Sequence, residues 1–267
     1  YHEYDNKIDW SIIEPNPNPV EGVKANFIKG YFNENFKIKK KIDTIIHSHV
    51  LEHIYEPQKF LNQISNFLLD GQFLFFSVPN IKEMIKRKYT NALNFEHTYY
   101  LTEIYTKYLL LKNNFRIIKS EYYKDDHSIF YACKRDSNVE KMSLPEGLFD
   151  YNKKVYQKFI DYHIKLLTEI NHKLKIKEKN SKLYLFGGHV FSQHLINFGL
   201  DTSQIECILD NDVNKHGKRL YGTSLKVFSP KIIKDEKNPI IILKAGIYND
   251  EIKKDIYENI NSGAIFI

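Results

Sequence analysis

The stretch Asp43-Thr-Ile-Ile-His-Ser-His-Val-Leu-Glu-His53, continued by Ile54-Tyr-Glu-Pro57, decides how the first half of this chain is read. Residues 42–48 are a short apolar run bounded by polar residues, which predicts a buried strand. At Ser48 and His49 the apolar pattern stops and side chains that can titrate take over. From Glu56 to Leu69, Phe60, Leu61, Ile64, Phe67 and Leu68 fall on one helical face. Asp70-Gly71 is a helix stop, and residues 72–78 form a second, strongly apolar strand closed by Pro79. Strands alternating with helices predict a largely parallel sheet with helices on both faces.

The same reading extends in both directions. Residues 9–14 form a short strand stopped by Pro15, and Asn16-Pro17-Asn18-Pro19 breaks any regular element. Residues 25–29 form another strand, closed by Gly30. Beyond Pro79 a polar connection runs to His97. Thr102 can cap a helix reaching Asn114, and strands at 115–123 and 128–134 follow. Their link, residues 124–127, is short enough to make them antiparallel neighbours. Residues 136–146 read as a linker. Val155, Phe159, Tyr162, Leu166 and Ile170 then mark a long amphipathic helix over 151–178.

A new alternation follows. There is a strand at 182–186, a Gly187-Gly188 turn into a helix through Phe198, and a strand at 204–209 ending at Asp210. A strand at 239–243 and a helix at 251–260 complete it. The fold class is α/β. An N-terminally incomplete sheet domain occupies 1–136, a linker and long helix 137–180, and a smaller Rossmann-like α/β domain 181–267.

Bulk properties narrow the function classes. The chain has 267 residues, which suits two domains, and 42% of them are hydrophobic, enough to fill real cores. Its two cysteines, Cys133 and Cys207, have no paired or metal-ligand spacing. No disulfide scaffold, zinc ribbon or metal centre is therefore expected, and the usage fits a reducing cytoplasm. No apolar run reaches the length of a membrane span. The net charge is +6, but the lysines are dispersed apart from Lys37, Lys39, Lys40 and Lys41. Nucleic-acid binding needs a contiguous basic surface with stacking aromatics, so it is not expected. The oligomeric state is not readable.

Four segments could carry chemistry. Glu14 ends a buried strand, where ligands of open α/β sheets sit, and a carboxylate there can accept both ribose hydroxyl protons of a nucleotide-like cofactor. The plain alternative is a solvated strand-end carboxylate. The others are the 43–57 stretch, Ser77-Val-Pro-Asn80 at the next strand end, and Asn94-Phe-Glu-His-Thr-Tyr-Tyr-Leu-Thr102.

In their order, these segments resemble class I S-adenosylmethionine-dependent methyltransferases. They are Ile13-Glu14-Pro15, Asp43 to Leu51-Glu52-His53, Leu68 to Pro79, and Asn94-Phe95-Glu96-His97. More narrowly, the chain resembles the nucleotide-sugar C-methyltransferases of deoxysugar pathways. Phe186-Gly-Gly-His189, Ile208-Leu-Asp-Asn-Asp212, Lys215-His-Gly-Lys218, Tyr221-Gly-Thr223 and Ala245-Gly-Ile-Tyr-Asn-Asp-Glu-Ile252 are similar to that family's C-terminal domain.

The resemblance implies S-adenosylmethionine as cofactor, with Glu14 on its ribose, Tyr31 and Phe32 flanking its adenine, and Ser48 and His49 near its sulfonium. It implies His97 as general base, Glu96 positioning the substrate and His53 facing it. Asn94, Asp126, His127, Lys215 and Tyr248 become substrate contacts, with Lys218 a further possibility. The substrate is then a nucleotide-linked sugar or similar activated small molecule, methylated on carbon or oxygen, in surface polysaccharide or deoxysugar biosynthesis.

Two features depart from the family. Its first strand, Gly-x-Gly loop and cysteine zinc module are not in the sequence, and the loop and strand are expected upstream of Tyr1. Asn94 stands where the family has a tyrosine. The rival reading is a non-catalytic binding or scaffold protein of the same fold that has lost its cofactor.

Overall fold

Strand β3 (Thr44–Ser48) and strand β4 (Phe73–Pro79) lie side by side in parallel, Ile45 opposite Leu74. The structure is a computed structural model and describes residues 7–19, 21–94, 96–123, 125–175 and 181–267. Upstream, β1 (Ser11–Glu14) and β2 (Asn26–Lys29) pair in parallel as a separate two-stranded sheet. Downstream, β5 (Phe115–Tyr123) and β6 (Ser128–Arg135) form the expected antiparallel pair. β6 also pairs antiparallel with β4, which makes the order β3-β4-β6-β5.

Strand alternation sorts the residues of this sheet. Leu74, Phe76, Val78, Ile129, Tyr131 and Cys133 point to one face, where Leu61 and Ile64 of α1 (Pro57–Phe67) and Leu109 and Leu110 of α3 (Glu103–Lys112) close the core. The opposite face carries Ile46, Phe75 and Phe130, which remain 53%, 39% and 44% exposed among the described residues. Helices on both faces of this sheet were expected; among the described residues they cover one.

Residues after Pro79 are not the polar connection that the sequence suggested. They form α2 (Ile81–Lys86), capped by Asn80, whose Oδ1 accepts from the Glu83 amide at 3.3 Å. Ile81, Met84 and Ile85 fall on one side of it and pack with Ala92 against Phe159. Phe159 belongs to α4 (Leu148–Lys175), which begins three residues earlier than the periodicity implied. Residues 176–178 of the expected helix lie outside the described residues.

The second half is built on β7 (Leu183–Phe186), α5 (Val190–Asn197), β8 (Ile205–Leu209), β9 (Val227–Phe228), β10 (Ile240–Ile242), α6 (Asn249–Asp255) and β11 (Ile265–Phe266). All five strands are parallel, in the order β11-β10-β7-β8-β9. β7, β8 and β10 are almost wholly buried, as a parallel sheet covered on both faces must be. Leu167, Ile170 and Leu174 of α4 cover one face, and Ile252 of α6 with Ile256 cover the other. The sequence reading missed β9 and β11.

The chain leaves β7 toward β8 and β9, then returns to β10 and β11 on the other side. That reversal puts a crevice at the carboxyl end of β7. Gly187 turns there with φ +106°, and a Cβ on Gly188 would stand 3.1 Å from Val227 Cγ2 and 3.3 Å from Asp210 Oδ2. The Gly188 amide donates to that Asp210 oxygen at 2.7 Å. Thr90 Oγ1 donates to the Lys244 carbonyl at 2.7 Å, tying the two halves together. Among the described residues no helix is long and apolar enough to cross a membrane.

Candidate active site between the two halves

At the carboxyl end of β3 the chain enters a conformation that most residues avoid. His49 has φ +51°, and its amide donates to the Ser77 carbonyl at 3.0 Å. Beside it, Ser48 Oγ and Ser77 Oγ are 2.7 Å apart. A left-handed non-glycine residue at a strand end is strained, and such strain clusters at functional sites. The turn leads into a 3₁₀ segment, Leu51–His53, which buries Glu52 to 2% exposure and leaves His53 half-buried.

A second loop is pinned onto this turn. The Thr98 and Tyr99 amides both donate to the Glu52 carbonyl, at 2.9 and 3.2 Å. Thr98 Oγ1 donates to the Ile54 carbonyl at 2.9 Å. His53 Nδ1 lies 2.9 Å from the Glu96 carbonyl oxygen. A carbonyl only accepts, so His53 carries a proton on Nδ1 and donates it to this bond. The His53 and His97 rings then meet edge to face, with centroids 4.9 Å apart. Asn94 shapes the loop: its Oδ1 accepts from the Glu96 amide at 3.0 Å, and its carbonyl accepts from the His97 amide and the Tyr100 hydroxyl, each at 3.1 Å.

Polar contacts continue behind Glu52. His49 Nδ1 donates to Glu52 Oε1 at 3.0 Å, and its Nε2 lies 3.3 Å from Ser128 Oγ. His127 Nδ1 is 3.0 Å from that same hydroxyl. One polarity satisfies the chain: His127 donates to Ser128, Ser128 to His49, and His49 to the carboxylate. Glu52 Oε2 is buried with no hydrogen-bond partner.

Burial pushes the His97 pKa below the usual imidazole value, while the Glu52 carboxylate pulls it back up. His53 and His49 act downward and Glu96 upward, both more weakly. His97 is thus held neutral near pH 7, with a lone pair available. His47, on the same strand, serves differently. Burial lowers its pKa to about 4, and its ring stacks on Phe76 at 5.1 Å, so it is a neutral core side chain.

Glu96 and Asn94 also line a cleft of about 240 Å³ whose other wall is the second half of the chain. Lys215, Lys218 and Arg219 contribute cations there, and Gly188 and His189 bring the β7 turn. Lys215 is held by Asp210 at 3.1 Å and Asp212 at 3.9 Å. The structure therefore brings Asn94, Glu96 and Lys215 together at the cleft, and joins His53 to His97 and to the Glu96 carbonyl.

Other expected contacts stand apart from this cleft. Glu14 is exposed at the end of β1, with Oε1 accepting from the Asn16 amide at 3.2 Å. Tyr31 is 71% exposed, whereas Phe32 packs among Phe36, Phe60 and Phe67 with centroids 5.3–5.8 Å apart. Asp126 lies 3.7 Å from the Arg87 guanidinium, and Tyr248 packs against the β10–α6 core near Phe191. Glu52, Ser128, His189 and Arg219 also stand here, although none of them was expected as a contact. Glu52 was visible only as the middle of Leu51-Glu52-His53, and nothing in the sequence marks it as buried.

Two family models match the chain. One, described as the C-methyltransferase C-terminal domain, covers residues 129–267, and the other, a methyltransferase domain, covers residues 6–120. No curated protein matches. Among solved structures, magnesium protoporphyrin IX methyltransferase from Synechocystis PCC 6803 is 17% identical at a TM-score of 0.33, covering 42% of this chain and 52% of that one. The 1,6-didemethyltoxoflavin-N1-methyltransferase of Burkholderia thailandensis is 13% identical at 0.37, covering 48% and 61%. N-methyltransferase NodS from Bradyrhizobium japonicum is 10% identical at 0.36, covering 48% and 66%. The chain thus spans about half the length of the first of these and under two thirds of the second.

Proposed function

We propose, from the premise that this chain belongs to the C-methyltransferase family whose C-terminal domain it carries, that it methylates a nucleotide-linked sugar or similar activated small molecule with S-adenosylmethionine as donor. One observation carries the reading: the loop that bears His97 closes against His53 on one side and, through Asn94 and Glu96, lines a cleft rich in cations on the other. A neutral imidazole suits proton removal, and Lys215, Lys218 and Arg219 suit the phosphates of an acceptor.

Two of the residues expected to hold the donor are open to it. Glu14 stands exposed at a strand end where a carboxylate can take ribose hydroxyls, and Tyr31 offers an open aromatic face nearby in sequence. Bound there, S-adenosylmethionine supplies a methyl group that is already electrophilic. The protein then has two tasks, to hold the acceptor in line and to remove one proton. His97 takes that proton from a carbon next to a keto group, or from a hydroxyl, and the electron pair it frees forms the bond to the methyl as the methyl's bond to sulfur breaks. Glu96 orients the acceptor at the mouth of the cleft. The process belongs to surface polysaccharide or deoxysugar biosynthesis, in the cytoplasm.

His97→Ala is expected to lower turnover roughly 10²–10⁴-fold, the range for a lost general base, with S-adenosylmethionine affinity by calorimetry nearly unchanged. Near-wild-type turnover would remove His97 from the mechanism. Transfer of labelled methyl to a nucleoside-diphosphate keto sugar, but not to the free sugar, tests the acceptor class. A folded protein that binds no S-adenosylmethionine would replace this reading by the scaffold one.

A further inference from the structure

We infer that Glu52, His53 and His97 form a site for one divalent transition-metal cation. The donor atoms of these three residues all lie within 4.8 Å of one another. The set is two imidazoles and one carboxylate, which suits zinc, cobalt or iron. Magnesium and calcium prefer shells made of oxygen.

Two of the ligands are already oriented from behind, as ligands at metal sites usually are. His53 Nδ1–H donates to the Glu96 carbonyl at 2.9 Å, so Nε2 is the ring nitrogen that can face an ion. His49 Nδ1–H donates a hydrogen bond to Glu52 Oε1 at 3.0 Å. The other carboxylate oxygen, Oε2, is buried on a residue 2% exposed and has no hydrogen-bond partner. A buried, unpartnered carboxylate oxygen is costly, and a cation would satisfy it.

Donors held at metal-ligand distance from one ion sit about 3.3 Å apart. Binding therefore draws the two half-buried rings inward by side-chain rotation. The backbone beneath them stays pinned by the Thr98 and Tyr99 amides on the Glu52 carbonyl. Three protein ligands leave a fourth position open, the pattern of sites that accept a water or a substrate oxygen. The ion takes the lone pair that His97 would use as a base, so a bound cation inhibits proton removal. The site itself does not depend on the methyl-transfer reading.

Titrating Co²⁺ into chelator-stripped protein, without donor or acceptor, tests this. Calorimetry and the visible absorption band of coordinated cobalt are expected to report one ion per chain. Losing a ligand costs more than losing a group behind one, so His53→Ala and His97→Ala should each weaken binding by about 100-fold or more. Both rings are half-buried, so these variants keep the test open if Glu52→Gln fails to fold. Unchanged Co²⁺ affinity in folded His53→Ala, or no cobalt band in the wild type, would overturn the site. A chain that binds Co²⁺ but transfers no methyl overturns the proposed function alone. A chain that transfers methyl but binds no Co²⁺ overturns the metal site alone.

Discussion

His194 is 4% exposed, with its ring stacked on Phe198 at 4.4 Å and edge-on to His163 at 4.6 Å. Burial, reinforced by the neighbouring imidazole, pushes its pKa down to about 3, and its Nε2 has no partner. In the unfolded chain the same group titrates near its ordinary 6.5. The unfolded state therefore binds the proton first as pH falls, so stability is complete above about 6.5 and is lost progressively down to about 3. The limiting slope for one proton is about 1.4 kcal/mol per pH unit. Urea melts across this range are expected to show His194→Leu with an acid limb shallower by about one proton. An unchanged limb would mean that His194 does not drive it. The residue scale also shows where a motif stops being informative. His49, His53 and His97 stand out in the sequence by chemistry and spacing. Glu52 gains its meaning only from burial, which no neighbouring residue encodes.

At the scale of elements, α2 is the instructive case. Asn80 followed by Ile81, Met84 and Ile85 carries both a cap and an apolar face, yet its lysines outweigh so short an apolar stripe and make the stretch look like a polar connection. The cap is structural as well as local, since the Asn80 amide also donates to the His127 carbonyl at 2.8 Å. Asn80→Ala removes the Oδ1 acceptor and keeps that amide. It is expected to cost about 1 kcal/mol in chemical denaturation, the usual effect of a lost N-cap. A change near zero would show that Glu83's amide is satisfied otherwise. The long helix α4 was legible because its periodicity repeats over many turns. β9 and β11 have two residues each, too few for any alternation to register.

For the whole molecule, α4 is the part that both halves share. Phe159, fully buried near its middle, packs on Ile81, Met84, Ile85 and Ala92, while Leu167, Ile170 and Leu174 pack on the second sheet. Phe159→Ala should cost about 3–5 kcal/mol by opening a cavity at this junction. Limited proteolysis is expected to cut earlier within residues 81–93 in that variant. Equal protection in both proteins would mean that the junction is held by other contacts, such as Thr90 to Lys244. The cleft between Glu96 and Lys215 depends on the same junction, so acceptor binding should weaken with it.

Local pattern alone specifies the alternation of strands and helices, the antiparallel pair at 115–135, the long helix and the glycine turn after β7. Each of these follows from periodicity or turn chemistry within a single element. It also placed polar, reactive side chains at strand ends. Long-range packing sets β3, β4, β6 and β5 in that order and leaves Ile46, Phe75 and Phe130 exposed on one face of their sheet among the described residues. It alone brought Glu96 onto His53 across 43 positions and set the 94–97 loop opposite Lys215. Such meetings depend on how distant apolar faces bury one another, and a local pattern carries no record of which face it will meet.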